Sequence, residues 1–240
     1  MKAQVLLPKV FNFPFTYNSK IKVKIGSLVE VPFGSKREIG VVWKNNYIEP
    51  KKIKIKDIDK KTEYAIDKKL IDFIEWFSIY NMVPLGLVLK MAIGSTDKFI
   101  KKKENSIELK KTQRKNYDLN NEQLSALKFL GKEKNKFDVS VLQGTTGSGK
   151  TLVYFERIKK IIDNGNQALV LLPEIFLTND FKSRFENFFG FEPAIWHSKI
   201  TPKRKRLIWK GIIENKIKIL VGARSALFLP FKKLKIIIVD

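Results

Sequence analysis

The rhythm of apolar and polar positions changes twice along this chain. Over residues 1–60, short apolar runs such as "QVLLPKV", "SLVEVPFG", "EIGVVWK" and "KIKIKDI" are separated by Gly, Pro and Asn. Runs of this length bounded by turn formers predict strands. In "KIKIK" the alternation is strict, so one face is apolar and the other cationic. Between residues 66 and 81 the period lengthens. Ile66, Leu70, Phe73, Ile74 and Phe77 recur at helical spacing and predict an amphipathic helix. Pro84 stops it, and "LGLVLKMAI" predicts a second, shorter helix. Residues 95–116, "STDKFIKKKENSIELKKTQRKN", are polar and lysine-laden and predict a linker.

From residue 117 strands and helices alternate. The expected strands are "DVSVLQ", "QALVLLP", "PAIWH", "IKILVG" and "KIIIVD", with helices near 150–163, 175–189 and 202–214. Alternation of helices with nearly continuous apolar strands predicts a parallel sheet covered on both faces. The expected fold class is therefore α/β. A small β-rich domain with C-terminal helices occupies 1–94, a basic linker 95–116, and an α/β lobe 117–240.

Charge adds a partner class. The 240 residues carry a net charge of +23. In residues 1–116, 25 Lys and Arg face 12 Asp and Glu; in residues 117–240, 22 face 12. Both halves are basic, which suits a polyanion, most often nucleic acid. Most of the excess is lysine in a chain also rich in Asn and Ile, a pattern that compositional drift also produces. There are no cysteines, which excludes a disulfide framework and a thiolate zinc site within these residues. No stretch approaches the ~18 consecutive apolar residues of a membrane span, and the N-terminus lacks the h-region of a signal peptide. A soluble, cytoplasmic protein without a membrane partner is expected.

The chemistry is concentrated in "VSVLQGTTGSGKT". Gly144, Thr145, Thr146, Gly147, Ser148, Gly149, Lys150 and Thr151 match G-x-x-x-x-G-K-[ST], with an apolar run before and a helical pattern after. Glycines let successive backbone N–H groups converge on a phosphate, and the following helix adds the positive end of its dipole. Lys150 would reach the outer phosphates of ATP, and Thr151 would offer its hydroxyl to Mg²⁺. Such loops serve kinases, GTPases, transporters and motors alike. A second acid is needed at the end of another buried strand, and Asp240, closing "IIIVD", has the form of that Walker B acid.

The segments between these motifs narrow the class. Pro173-Glu174-Ile175 with Leu177-Thr178, then His197-Ser198, then Gly222-Ala223-Arg224-Ser225-Ala226-Leu227-Phe228 with Pro230-Phe231, stand in that order before Asp240. This order resembles the primosomal replication-restart helicases of superfamily 2. "LNNEQ" resembles that family's segment upstream of the phosphate loop, where Gln123 would approach the adenine. "FPFTY" and "VPFGSKREIGVVW" are similar to the family's small domain that binds the 3′ end of a nascent strand. The resemblance places Phe15, Thr16, Gly34 and Lys52 near the 3′-terminal nucleotide. Thr16 stands where many members have Asp. On the residues alone, an aromatic can stack a base, a glycine admits close backbone approach and a lysine can meet a phosphate, but phenylalanines are equally at home in a core.

The resemblance implies a RecA-like lobe and an ATP- and Mg²⁺-dependent 3′-to-5′ DNA helicase acting at stalled or collapsed forks. Arg224 would contact a DNA phosphate. Forked and single-stranded DNA, single-strand DNA-binding protein and other primosome proteins would be partners, in the cytoplasm at the nucleoid. It also implies that this chain is the N-terminal part of such a protein, its motor stopping at the Walker B acid. Zinc is then expected only in the C-terminal part. The family's winged-helix domain would be absent or vestigial, because only about twenty polar residues occupy its place. His197, the only histidine, lacks partners for a metal site and reads as structural. Two other readings are a fork-DNA and nucleotide binding module without turnover, and a small-substrate kinase. The kinase would need an arginine-bearing lid and leaves "GARSALF" unexplained.

Overall fold

A computed structural model describes residues 1–44, 55–94, 107–131 and 137–240. In chain order the N-terminal elements are β1 (Lys2–Leu6), β2 (Phe15–Asn18), β3 (Ser27–Phe33), β4 (Lys36–Lys44), β5 (Lys60–Ala65), α1 (Lys68–Asn81) and α2 (Leu85–Ile93). They are followed by α3 (Asn121–Leu130), α4 (Lys150–Asp163), β6 (Gln167–Leu171), α5 (Asn179–Phe189), β7 (Ala194–Trp196), α6 (Pro202–Ile213), β8 (Ile219–Gly222) and β9 (Leu234–Val239). Two compact units result. One comprises Met1–Ser106, Thr201–Ile213 and Leu227–Pro230; the other Ile107–Ile200, Glu214–Ala226 and Phe231–Asp240.

The first unit is built on an antiparallel sheet in the order β2-β1-β4-β3-β5. The β3–β4 hairpin pairs from Leu28↔Val41 to Phe33↔Lys36, so Gly34 and Ser35 form a two-residue turn. Gly34 has φ +59 and open space where a Cβ would lie, so glycine stands there for its backbone freedom. Ala3, Val5, Tyr17, Val29, Val31, Val42 and Ile58 form one buried cluster on this sheet. The Tyr17 hydroxyl donates to the Pro32 carbonyl at 3.2 Å, and burial pushes its pKa up to about 12.

Helix α1 starts on Asp67, whose Oδ1 accepts from the Leu70 N–H at 2.9 Å. It ends at Met82, a left-handed residue with φ 54, and Pro84 then prevents continuation. Trp209 of α6 is almost fully buried in this unit. Its indole N–H donates to the Ala92 carbonyl at 2.7 Å and its ring meets Tyr64 edge-on at 5.6 Å. Burying a side chain of this size contributes roughly 3 kcal/mol. The periodicity predicts both α1 and α2 to within two residues. Of the predicted strand "KIKIKDI", residues 51–54 lie outside the described residues. Asp57 belongs to no strand, making an isolated bridge to Asn18 and an ion pair with Lys20 at 3.2 Å.

The second unit is built on a parallel sheet in the order β7-β8-β6-β9. β6 is central and wholly buried, which is why its sequence is a continuous apolar run. Phe155 of α4 is fully buried and meets the rings of Phe181, Phe185, Phe188 and Phe189 of α5. The Gln167 side chain, also fully buried, accepts from the Lys232 and Lys233 N–H groups at 3.0 Å each and donates to the Ile217 carbonyl at 2.9 Å. Residues 110–115 bond to α5 and the turn after it: Thr112 N–H donates to Gly190 O at 2.8 Å and Lys115 N–H to Asn187 O at 2.6 Å.

One predicted strand is corrected. "DVSVLQ" is not a strand, and Val139 and Val141 are 73% and 88% exposed. An apolar run becomes a strand only when a neighbour closes its hydrogen bonds. Among the described residues no strand pairs with 138–143. On β9, which pairs only with β6, Ile236 and Ile238 pack on the core while Ile237 and Val239 are exposed.

Candidate nucleotide site and DNA-binding surface

The phosphate loop is fixed at its C-terminal end. Gly149, with φ +81, is the N-cap of α4, and Lys150 opens the helix. Gly147 also has positive φ (+83), and a Cβ there would meet nothing. Gly149 is favoured as glycine by its left-handed φ, and a Cβ there would also lie 2.3 Å from the Gln123 side-chain amide and push it aside. Gln123 belongs to a capping box at the start of α3. Its Oε1 accepts from Asn120 N–H at 3.0 Å and Asn120 Oδ1 accepts from Gln123 N–H at 2.9 Å. Its Nε2 then donates to the Ser148 carbonyl at 3.1 Å. The Gln123 amide is thus committed to clasping the loop.

Lys150 reaches back into the loop. Its Nζ donates to the carbonyls of Gly144 and Thr145 at 2.8 and 2.9 Å. Thr146, Gly147, Gly149, Lys150, Thr151 and Asp240 share the wall of one cavity of about 610 Å³. Asp240 is carried to it by the sheet: its N–H donates to Leu171 O at 3.1 Å, extending the β6–β9 ladder by one residue. The cavity therefore offers a glycine-rich loop, an ammonium, a hydroxyl and a carboxylate, which is the donor set for a nucleotide phosphate with Mg²⁺. Among the described residues no three His, Cys, Asp or Glu gather into a metal cage. The donor set does not require one, because Mg²⁺ is usually held by one or two carboxylates, water and substrate phosphates. Tyr117, Phe176 and Arg184 also line the cavity, and sequence reasoning passed over them. Only the nearness of Tyr117 to the Gln123 segment could have pointed to it.

The segments after β6, β7 and β8 are cross-tied. Glu174, in the 3₁₀ turn Glu174–Phe176, accepts from Ser198 N–H at 3.2 Å and Ser198 Oγ at 3.0 Å. These bonds hold its carboxyl below the usual carboxylate range. Thr178 caps α5, accepting from Phe181 N–H at 3.2 Å. His197 Nδ1 accepts from Lys199 N–H at 3.3 Å, a local turn contact. Trp196 Nε1 donates to Ser225 Oγ at 3.2 Å, and the neighbouring Arg224 is exposed at the head of the 3₁₀ turn Arg224–Phe228.

In the first unit, Phe15 and Thr16 stand on β2 opposite Val5 and Gln4. Phe15 contacts Phe11, Phe13 and Phe33 at ring distances of 4.9, 5.2 and 5.3 Å. Phe33 is the last residue before Gly34, so the cluster brings Phe15 and the glycine turn together. Lys9 Nζ lies 5.7 Å from the Phe33 ring centre and pairs with Glu38 at 2.9 Å. The alternation "FNFPF" could have flagged Phe11 and Phe13. Lys52 lies outside the described residues.

A family model described as the 3′ DNA-binding domain matches residues 4–94, and one described as DEAD/DEAH box helicase matches residues 120–240. The chain is 40% identical over 248 residues to the replication restart protein PriA of Rickettsia felis, covering 99% of this chain and 37% of that protein. This chain belongs to the PriA replication-restart family of DEAD/DEAH-box helicases. A PriA from Helicobacter pylori strain J99 is 34% identical over 228 residues, covering 95% of this chain and 35% of its own length. The PriA of Bacillus subtilis matches 108 residues at 41% identity, covering 45% and 13%. The chain thus spans little more than a third of the length of the PriA proteins it matches along its whole extent. The PriA match confirms the expected architecture of an antiparallel β-rich domain followed by a helicase lobe with a parallel sheet. No helix among the described residues is long and apolar enough to cross a membrane.

Proposed function

We propose that this chain is the N-terminal part of an ATP-dependent 3′-to-5′ DNA helicase that recognises stalled or collapsed replication forks and initiates primosome assembly. The observation that carries the motor reading is the gathering of Lys150, Thr151 and Asp240 around one cavity. The loop amides receive the phosphates of ATP, and the Lys150 ammonium exchanges the Gly144 and Thr145 carbonyls for phosphate oxygens. Thr151 and Asp240 would hold Mg²⁺, which would supply charge neutralisation for those phosphates when bound. Gln123 holds the loop in its receptive shape. Lobe closure over the nucleotide would draw single-stranded DNA past Pro173–Thr178 and Arg224.

In the first unit, the Phe15 cluster stacks the last base of a 3′ end. Thr16 and the Gly34 turn adjoin its sugar and phosphate, and Lys52 is the lysine expected for the phosphate. Single-strand DNA-binding protein and other primosome proteins are the expected partners, at the nucleoid in the cytoplasm. Zinc belongs to the C-terminal part of the whole protein.

Titrating a fluorescent ATP analogue and a 3′-ended oligonucleotide into the protein tests both halves. Saturable binding of each is expected, with nucleotide binding dependent on Mg²⁺. Absence of nucleotide binding would overturn the motor reading. Binding without hydrolysis by the whole protein would leave a recognition module.

A further inference from the structure

Asp240 is an exposed side chain at the end of an edge strand, and such a carboxylate ordinarily samples several rotamers. Here one of its oxygens is held. Tyr154 Oη donates to Asp240 Oδ2 at 2.8 Å. Tyr154 lies three residues after Thr151 on α4, so phenol and hydroxyl belong to the same helix face, and the Thr151 side chain also bears on the phenol oxygen. The ring cannot wander. It is 5% exposed and meets Phe155 edge-on at 5.2 Å.

We infer that Tyr154 is a positioning residue for the metal-side acid: its phenol fixes the Asp240 carboxylate beside Thr151, so the two cation ligands are pre-set before the nucleotide arrives. The inference rests on the reading of Asp240 as the Mg²⁺-side acid. Groups that orient metal ligands in this way typically change metal affinity by roughly 10-fold or more when removed. A purely structural tyrosine would do otherwise, weakening nucleotide binding with or without the cation.

The test is the Mg²⁺ dependence of fluorescent ADP binding to this chain, with EDTA as the cation-free arm. Tyr154→Phe is expected to raise the half-saturating Mg²⁺ roughly 10-fold and to leave binding in EDTA unchanged. In an Asp240→Asn background the same substitution should add nothing. If Asp240→Asn alone leaves the Mg²⁺ dependence unchanged, the reading of Asp240 falls, and this inference with it. If Asp240→Asn raises the requirement but Tyr154→Phe does not, or if Tyr154→Phe weakens binding equally in EDTA, the positioning role alone is overturned. Circular dichroism checks that Tyr154→Phe folds. Should it not, Asp240→Glu moves the carboxylate one methylene from its seat against the phenol without touching the core. It should raise the Mg²⁺ requirement, and an unchanged requirement would count against the role.

Discussion

The two candidate sites rest on different kinds of support. The Phe15 cluster and the Gly34 turn are carried by a five-stranded antiparallel sheet in which β3 and β4 pair over six residues. The phosphate loop is held from behind, by α4 and by the Gln123 clasp; the residues leading into it, 138–143, belong to no ladder among the described residues. A site built on a closed ladder has its geometry before the ligand comes. A loop anchored at one end depends on a few side-chain bonds, and each should be measurable.

The largest effect is expected at Lys150. Lys150→Ala removes the one ammonium in the loop and should weaken nucleotide binding roughly 10- to 100-fold by fluorescence titration, with DNA binding unchanged. If nucleotide binding survived, the cavity would not be the phosphate site. Next comes the sheet-borne site. Phe15→Ala should cost about 10-fold in affinity for a 3′-ended oligonucleotide, in line with one lost stacking contact, and much less for the same sequence with a blocked end. Equal losses on both would place the cluster in the core rather than at the DNA.

Gln123→Ala sharpens the contrast further. It opens the clasp on Ser148 and the capping box together, so about 1 kcal/mol of stability should go along with a severalfold loss of nucleotide affinity. The smallest effect is a pH dependence. The folded pKa of Glu174 is lowered by its bonds from Ser198, so its contribution is present above the unfolded carboxylate value, ~4.3, and lost as pH falls through the folded value. Thermal melts of the natural chain and of Glu174→Gln should differ above about pH 5 and converge as the medium becomes more acid.

Local chemistry was the legible part of the sequence. The phosphate loop is contiguous, and its glycines and lysine need no distant partner to be recognised. α1 and α4 carry their period within themselves. The misses share one cause, because strand formation is a property of pairs. The run 138–143 alternates as a strand should, yet joins no sheet among the described residues, while Lys60–Ala65, "KKTEYA", is hardly apolar and still pairs with β3. The Tyr154–Asp240 bond spans 86 residues of sequence, and the buried bonds of Gln167 span 50 or more. No periodicity shows such contacts. The Pro173–Thr178 and Gly222–Phe231 segments were visible only through their resemblance to a family, since loops carry no hydrophobic rhythm.

Trp209 and its helix have a consequence for modularity. The stretch matched as a DNA-binding domain ends at residue 94, but the folding unit around it also includes Thr201–Ile213 and Leu227–Pro230. The matched stretch and the compact unit are therefore different sets of residues. A gene fragment ending near residue 94 would carry the inherited boundary yet leave the Ala92 carbonyl without its indole donor. The polypeptide crosses between the two bodies several times. Any recombination that exchanged the first body would have to bring a matching helix from inside the second half of the gene.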